Sequence, residues 1–397
     1  MAGMTRRRCL VTGATGYLGG RLVPALLDAG YAVRCMARTP EKPRDRPWAG
    51  RVETVRGDAT DPVSVAAALE GVEVAYYLVH ALGAGSGFEE KDRRAARVFG
   101  GAARAAGVRR VVYLGGLTPA GVPERELSPH LRSRTEVGRI LLGSGVPTAV
   151  LRAAVIIGSG SASFEMLRQL TERLPVMVTP SWVRTRVQPV AVRDVLRVLV
   201  ACAELPDGVS RTFDLGGPDV VTYQDMMRRY ARHTGLRRRL IVPVPVLSPW
   251  LSSLWVGLVT PVPGAIARPL VESLRHEVVC GERDIERYVT VPPGGFLDLD
   301  GALRAASRQV AGTTPPTRPA PGDPLPGDPG WAGGSLYTDR RERAVDASPA
   351  ALWRGGGGGG GGRGRGPCSL YNPPPPRPGR KNLCGLLFVK KIIPNSG

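Results

Sequence analysis

The first 120 residues switch repeatedly between two patterns of apolar positions. Short apolar runs predict strands, and the segments between them carry apolar residues three and four positions apart, as amphipathic helices do. Leu18, Leu22 and Leu26 show this helical spacing between the first two runs. This alternation predicts an α/β fold of the Rossmann type, with a doubly wound parallel sheet. The predicted strands are Cys9–Val11, Tyr31–Ala37, Val52–Arg56, Val72–Val79 and Arg110–Leu114.

The same patterns continue to about residue 310. Helix caps are predicted where a small polar residue precedes a helical stretch, with Pro62 and Pro129 supporting two of them in the first turn. The predicted caps are Asp61 or Thr60, Ser128 and Thr222. The further predicted elements are helices over 88–106 and 223–233 and strands over 146–157 and 212–217.

The turn between the first strand and the first helix is rich in glycine. Gly13 lets the chain reverse, Gly16 lets the backbone approach a pyrophosphate, and Gly19 lets the helix pack closely on the strand. The phosphates then lie at the helix N-terminus, where unpaired N–H groups and the helix dipole favour an anion. This spacing predicts a dinucleotide-binding site, the alternative being an ordinary glycine-rich turn.

The residue that closes the second strand indicates which dinucleotide is bound. An acidic residue there would accept a hydrogen bond from the ribose 2'-hydroxyl of NAD, but this chain has Arg38. A guanidinium pairs with a 2'-phosphate, so we expect NADP(H) to be preferred over NAD(H), with Arg34, Arg44 and Arg46 nearby. Asp58, at the end of the third strand, is expected to bond the adenine amino group.

Composition limits the cell compartments and the classes of binding partner that suit this chain. The six cysteines form no Cys-x-x-Cys pair, which argues against a zinc or other metal site and for a reducing compartment. Residues 1–8 are basic without an apolar signal core, so we expect a cytoplasmic protein. The formal net charge is +20, but seven basic residues and no acidic one lie within 355–397, and the other arginines lack interleaved aromatics. No nucleic-acid partner is therefore expected.

Three segments together resemble a known family. Residues 12–19, 57–61 and 188–195 look like the corresponding parts of extended and atypical short-chain dehydrogenase/reductases, in particular NmrA-like proteins and actinobacterial proteins called nucleoside-diphosphate-sugar epimerases. The resemblance covers about residues 5–310 and implies an NAD(P)-binding domain whose substrate-side part spans about 181–300. The cofactor-binding residues it implies are Gly13, Thr15, Gly16, Tyr17, Leu18, Gly19, Arg38, Asp58, Ala59, Leu78, Val79 and His80.

The family's catalytic residues are replaced in this chain. Its serine after the fifth strand is missing, and Thr118 is the nearest hydroxyl. Matching its Tyr-x-x-x-Lys helix puts His130 at the tyrosine position and Arg134 at the lysine position, four residues apart on one helix face. His130 could transfer a proton near neutral pH. The alternative is that His130 is an ordinary first-turn residue and Arg134 pairs with Glu126 or Glu136.

Two functions remain open from the sequence. The first is an NADP(H)-binding oxidoreductase or epimerase-like enzyme, and the second is a non-catalytic NADP(H)-binding sensor or assembly factor. The substrate is expected to be a small molecule, either anionic or apolar. Arg184, Arg186 and Gln188 are candidates to line the cleft for an anionic substrate.

Residues 240–267 carry no charged side chain and are flanked by Arg237–Arg239 and Arg268. Prolines leave only 249–260 as a helix, which is too short to span a bilayer. We expect either an apolar lid over the substrate or peripheral contact with a membrane surface. Farther on, composition predicts a Pro-rich linker over 311–330, the start of a second domain over 331–354, and a disordered Gly/Pro-rich tail over 355–397.

Overall fold

The computed structural model describes residues 7–41, 43, 46–80, 87–244, 272–310, 339–340 and 387–388. The chain divides into two units, residues 1–333 and 334–397. In the second unit, the described residues are a short antiparallel pair of strands. The predictions for 245–267, for the linker, and for most of the two segments after it concern residues outside the described ranges.

Eight helices and fifteen strands make up the described parts of the chain. The helices are α1 (Tyr17–Asp28), α2 (Pro62–Leu69), α3 (Phe88–Ala105), α4 (Pro129–Leu142), α5 (Ala162–Arg173), α6 (Val192–Ala201), α7 (Tyr223–His233) and α8 (Leu299–Val310). The strands are β1 (Arg8–Thr12), β2 (Ala32–Ala37), β3 (Glu53–Arg56), β4 (Val74–Tyr77), β5 (Arg110–Gly116), β6 (Thr148–Ala153), β7 (Val155–Ile157), β8 (Val176–Pro180), β9 (Arg186–Val187), β10 (Pro189–Ala191), β11 (Arg211–Leu215), β12 (Val221–Thr222), β13 (Leu240–Val244), β14 (Asp339–Arg340) and β15 (Leu387–Phe388).

A seven-stranded sheet forms the centre of the first unit. Its strand order is β11-β6-β5-β4-β1-β2-β3, and every neighbouring pair is parallel. The chain builds outward from β1 to β3, then crosses back to β4 on the other side of β1. In such sheets ligands bind outside the carboxyl ends of the strands at this reversal. The predicted doubly wound α/β fold is confirmed.

Helices cover both faces of this sheet. In β1, Cys9 and Val11 pack in one apolar cluster with residues of α1 and α6, whereas Leu10 packs in the other with residues of α2, α3 and α4. Successive side chains of a strand point to opposite faces, so a strand covered on both faces is apolar throughout. This burial explains why the predicted strands read as short uninterrupted apolar runs.

A smaller group of helices and short strand pairs lies around a third apolar cluster. This cluster contains residues of α5, α7 and α8 and of the short pairs β7–β10, β9–β12 and β8–β13. The single strand predicted over 146–157 is wrong, because the chain changes sheets at Ala154. β6 stays in the main sheet, whereas β7 pairs with β10. Residues 153–157 are all apolar, so the change of sheet leaves no break in the hydrophobic pattern there.

The predicted helix starts are confirmed by their capping bonds. Asp61 accepts from the backbone of α2, Ser128 accepts from Leu131 N, and Thr222 forms a capping box with Asp225. Several strands are shorter than predicted, β4 most clearly, because apolar residues continue past the last ladder hydrogen bond. Within the described residues, no helix combines the length and apolarity needed to span a bilayer.

Candidate cofactor and substrate site

The glycine turn lies against the end of β4. Gly13 has a φ of 72°, and a Cβ atom added there would lie 2.6 Å from the carbonyl oxygen of Leu78 and 3.3 Å from Val79 N. Thr12 ties the two strands together, because its Oγ1 donates to Tyr76 O and accepts from Leu78 N, both at 3.0 Å. Only glycine combines this positive φ with so close a backbone approach.

Gly19 brings the first turn of α1 close to the same loop. A Cβ atom on Gly19 would lie 2.2 Å from Gly13 O, and Gly16 N donates to that same oxygen at 2.9 Å. Gly16 is also the residue before α1, so the first turn receives no side-chain cap from it. A close-packed glycine loop at an uncapped helix N-terminus suits the two phosphates of a dinucleotide.

Arg38 and Asp58 lie near each other beyond the carboxyl ends of β2 and β3. Arg38 is exposed. Asp58 accepts hydrogen bonds from the backbone and hydroxyl of Thr60 at 2.8 and 2.7 Å. These bonds first, and the charge of Arg38 second, lower the pKa of Asp58 below its usual value. The two side chains present opposite charges at the edge where the adenosine half of a dinucleotide is expected.

The arginines expected beside Arg38 separate in the structure. Arg34 is buried, donates to the Ala68 and Glu70 carbonyls at the end of α2, and pairs with Glu53 on β3. Although Arg34 is close to Arg38 in sequence, its guanidinium is therefore held by α2 and β3. Arg46 instead donates to Thr15 O at 2.9 Å, within the glycine turn. Arg44 lies outside the described residues.

A cavity of about 170 Å³ opens beside the glycine turn. Its wall includes Leu18 from α1, residues 114–117 at the end of β5, residues 153–156 from the end of β6 to the middle of β7, and Tyr223 at the start of α7. His130 and Arg134 also line it. Most of the rest of the wall is apolar, with Ser163, Ser273 and Tyr223 as its other polar side chains.

His130 stands beside a second histidine. The ring centroids of His80 and His130 are 5.1 Å apart. Burial, followed by the positive charges of Arg134 and His80, holds the pKa of His130 well below its usual 6.5. Burial and Arg134 also lower the pKa of His80. Both rings are therefore neutral at pH 7 and able to accept a proton.

Asp92 and Ser133 hold the far side of His80. The Nδ1 atom of His80 lies 3.4 Å from Asp92 Oδ2, and Ser133 Oγ donates to the same oxygen at 3.0 Å. The Nε2 atom of His80 and the Nδ1 atom of His130 are buried and have no hydrogen-bond partner within the described residues. Buried polar atoms of this kind are commonly satisfied by a ligand or an ordered water.

The other two predicted catalytic residues are held by the protein. The Arg134 guanidinium donates to Leu114 O and lies 5.3 Å from the ring centre of Tyr113. It pairs with neither Glu126 nor Glu136 among the contacts described, and Glu136 instead binds Arg93. Thr118 accepts from Arg152 NH1 at 3.1 Å and does not line the cavity. The structure thus brings His130 and Arg134 together and leaves Thr118 outside.

The residues expected to bind an anionic substrate have other roles. Arg186 pairs with Glu277 at 2.6 Å on the surface, and Arg184 is exposed outside the cavity wall. Gln188 is buried, donating to Gly217 O and accepting from Cys280 N. The expectation that they line the cleft is wrong because Arg186 and Gln188 tie the substrate-side segments to each other.

No sequence pattern marks two residues of this site, Asp92 and Ser133. Asp92 and Ser133 lie on different helices, and each is unremarkable in its own segment. Gly158 belongs to the segment 152–158, which the family resemblance places near the nicotinamide end, and a Cβ atom there would lie 2.4 Å from the hydroxyl of Tyr17. The Tyr17 ring in turn lies 3.9 Å from the Arg21 guanidinium.

Comparison with known proteins agrees with this geometry. Residues 13–157 match a family model described as NAD(P)H-binding. The chain is 32% identical over 246 residues to a ceramide reductase of Caulobacter vibrioides, an alignment that covers 61% of this chain and 75% of that protein. The chain therefore belongs to the NAD(P)H-binding proteins of the atypical short-chain dehydrogenase/reductase type.

Two further proteins show how far the likeness extends. A 3 beta-hydroxysteroid dehydrogenase/isomerase of Mycobacterium tuberculosis is 32% identical over 192 residues, which is 42% of this chain and half of that protein. The crystal structure of a Citrobacter sp. triphenylmethane reductase with NADP(H) superposes with a TM-score of 0.58 at 20% identity, covering 75% of this chain and 99% of that one. The latter likeness establishes the fold alone.

Proposed function

We propose that this protein is an NADP(H)-dependent oxidoreductase that interconverts a carbonyl and an alcohol on a small apolar substrate. The observation that carries the proposal is the cavity in which His130 lies on a wall shared with Leu18 of the glycine turn. A substrate in this cavity is held between a proton-transfer group and the start of the nucleotide-binding helix. That adjacency is what hydride transfer requires.

The preference for NADP(H) rests on Arg38. Its guanidinium is exposed at the end of β2, and the neighbouring Asp58 is already bonded to Thr60, so Arg38 remains available to a 2'-phosphate. Replacing Arg38 by alanine is expected to weaken NADPH binding about 10- to 100-fold, the value of a charge-assisted hydrogen bond, and to leave NADH binding unchanged.

Arg51 provides a matched control for this measurement. It precedes β3 and therefore lies at the opposite edge of the parallel sheet, where it pairs with Asp28 at 3.7 Å. Titration calorimetry with both nucleotides compares Arg38→Ala with Arg51→Ala. Equal NADPH affinity in the two variants, or tighter binding of NADH by the unaltered protein, would remove the NADP(H) preference from the proposal.

His130 supplies the proton step. When bound, the nicotinamide accepts or delivers the hydride. In the oxidation direction, the neutral imidazole of His130 takes the substrate hydroxyl proton while the carbinol carbon loses hydride and the C=O bond forms. In the reduction direction the neutral ring must first take up a proton from solvent, and the imidazolium then donates it to the carbonyl oxygen as hydride reaches the carbon. The His80–Asp92–Ser133 contacts hold the neighbouring ring against His130.

An apolar substrate fits this cavity better than an anionic one. Arg134 already donates to Leu114 O, and the arginines at 184 and 186 lie outside the wall. The remaining wall is largely aliphatic. Two of the relatives are named for ceramide and hydroxysteroid chemistry, and both compounds are apolar molecules that carry oxygen groups.

The test is NADPH oxidation with a panel of carbonyl compounds. The panel contains a long-chain 3-keto lipid, a ketosteroid and, for comparison, a keto nucleotide-sugar. We expect turnover of an apolar carbonyl, and a kcat about 100- to 10,000-fold lower for His130→Gln, the usual contribution of general acid–base catalysis. NADPH affinity should change little.

His233→Gln is the matched histidine control. His233 ends α7 and bonds Asp300 at 2.7 Å, away from the cavity wall. It should retain full turnover. If no carbonyl is reduced while NADPH still raises the melting temperature, the protein binds its cofactor without turning it over and the catalytic proposal fails.

A further inference from the structure

The pair β8–β13 has an unusual outward face. The two strands are parallel, with Leu240 opposite Val176 and Ile241 opposite Met177. Met177 and Ile241 are buried in the third apolar cluster. Val176 and Leu240 are each 58% exposed, and Val242 is 42% exposed. A sheet with one face in solvent normally carries polar residues there, so three exposed aliphatic side chains on one face require an explanation.

A basic turn leads directly into this face. Arg237 and Arg238 are exposed, and Arg239 anchors the turn to the end of α5 by donating to Thr171 O at 2.8 Å. The sequence has no Asp or Glu from residue 226 to residue 271, a stretch that contains seven arginines. Two of the seven, Arg228 and Arg229, pair with acidic residues outside this stretch, whereas Arg237 and Arg238 are exposed beside the apolar face.

The sequence beyond β13 has the same character. Residues 240–267 contain no charged residue and include Trp250 and Trp255. Tryptophan is enriched where proteins meet the headgroup region of a bilayer. A surface that combines apolar side chains with adjacent arginines matches a bilayer containing anionic lipid, since it can insert the former and neutralise headgroups with the latter.

We propose that the outward face of β8–β13, with the turn Arg237–Arg239, docks the protein on an anionic phospholipid bilayer. A second copy of the chain fits less well, because in a symmetric pairing the same face would offer the exposed Arg237 and Arg238 apolar and basic groups and not the anions of a lipid surface. The docking does not require turnover, so it stands or falls independently of the proposed reaction.

Vesicle co-sedimentation of the full chain tests the docking. The vesicles are phosphatidylcholine alone or phosphatidylcholine with about a third phosphatidylglycerol, at low and high salt. We expect binding to the anionic vesicles that falls at least about tenfold on the neutral vesicles and decreases with salt. Leu240→Ser/Val242→Ser and Arg237→Gln/Arg238→Gln should each reduce binding at least about tenfold.

Matched double variants act as controls. Val63→Ser/Val220→Ser removes two valines that are 78% and 42% exposed on other elements. Arg125→Gln/Arg287→Gln removes two exposed charges elsewhere. Both controls should bind vesicles as the unaltered protein does, and an unchanged NADPH-induced rise in melting temperature shows that each variant is folded.

Two results overturn the docking. The first is equal vesicle binding by the β8–β13 variants and their controls, or no binding by the unaltered protein. The second is a dimer, detected by light scattering, that Leu240→Ser/Val242→Ser dissolves without any effect on vesicle binding. That outcome would make the face an interface between copies of the chain.

Discussion

Replacing Gly19 by alanine sets two opposing effects against each other. Alanine favours a helix over glycine by up to about 1 kcal/mol. The added Cβ atom, however, would lie 2.2 Å from Gly13 O and 2.9 Å from Ala14 Cα. Ordinary contact requires α1 and the turn to separate by about 1 Å, and overpacking of this kind costs about 1–3 kcal/mol. We therefore expect a net loss of about 1–2 kcal/mol.

Substitution of Gly101 measures the helix preference of alanine over glycine without a steric clash. It lies within α3, and a Cβ atom there would meet no heavy atom within 4 Å. Gly101→Ala should therefore stabilise the protein by up to about 1 kcal/mol. The two glycine-to-alanine changes are chemically identical, so their difference of about 2–3 kcal/mol measures the close approach in the turn.

Urea unfolding followed by circular dichroism, together with NADPH titration, measures both consequences. Because the separation moves the helix N-terminus away from the phosphates, Gly19→Ala should also weaken NADPH binding, whereas Gly101→Ala should not. Equal stabilisation by the two substitutions, with unchanged NADPH affinity in both, would refute the close-packed phosphate loop as the basis of the cofactor site.

Three further predictions concern stability. Because the pKa of His130 is depressed in the folded protein, the unfolded chain binds a proton first as the pH falls below 6.5. The melting temperature should therefore decrease from pH 7 to about pH 5.5. It should decrease less in His130→Gln. Arg168→Met leaves the buried Glu165 carboxylate without its 2.8 Å partner, so it should lower the free energy of unfolding in urea by about 3–5 kcal/mol. Arg139→Met breaks an exposed ion pair and should change that free energy little. Ser128→Ala removes the cap of α4 and should cost about 1 kcal/mol, and no loss of stability would mean that the cap bond to the backbone contributes nothing.

Local pattern was enough to predict the glycine turn between β1 and α1. The glycine spacing, the apolar run before it and the helical spacing after it all depend on near neighbours in the chain. The caps at Ser128 and Thr222 were likewise predictable, since a cap bonds backbone within its own first turn. For the same reason His130 and Arg134 could be placed on one face of α4 before any packing was known.

Packing between elements decided the rest. Arg34 and Arg38 look alike in the sequence, but Arg34 meets the carbonyls at the end of α2 and Arg38 extends beyond the sheet. Side chains alternate along a strand, and this alternation tells which residues share a face of the sheet. What that face contacts depends on how the following helices pack, and no local pattern encodes it.

The sequence by itself determined the fold class, the nucleotide-binding turn and the helix that carries His130, because these follow from backbone preferences and periodicity within a few residues. Only the tertiary structure brought His80, Asp92 and Ser133 into contact, from the end of β4, α3 and α4. It also gave β8 and β13 an exposed apolar face, although the two strands are sixty residues apart. Contacts at such separations form when buried surfaces dock, so they depend on the whole arrangement of helices around the sheet.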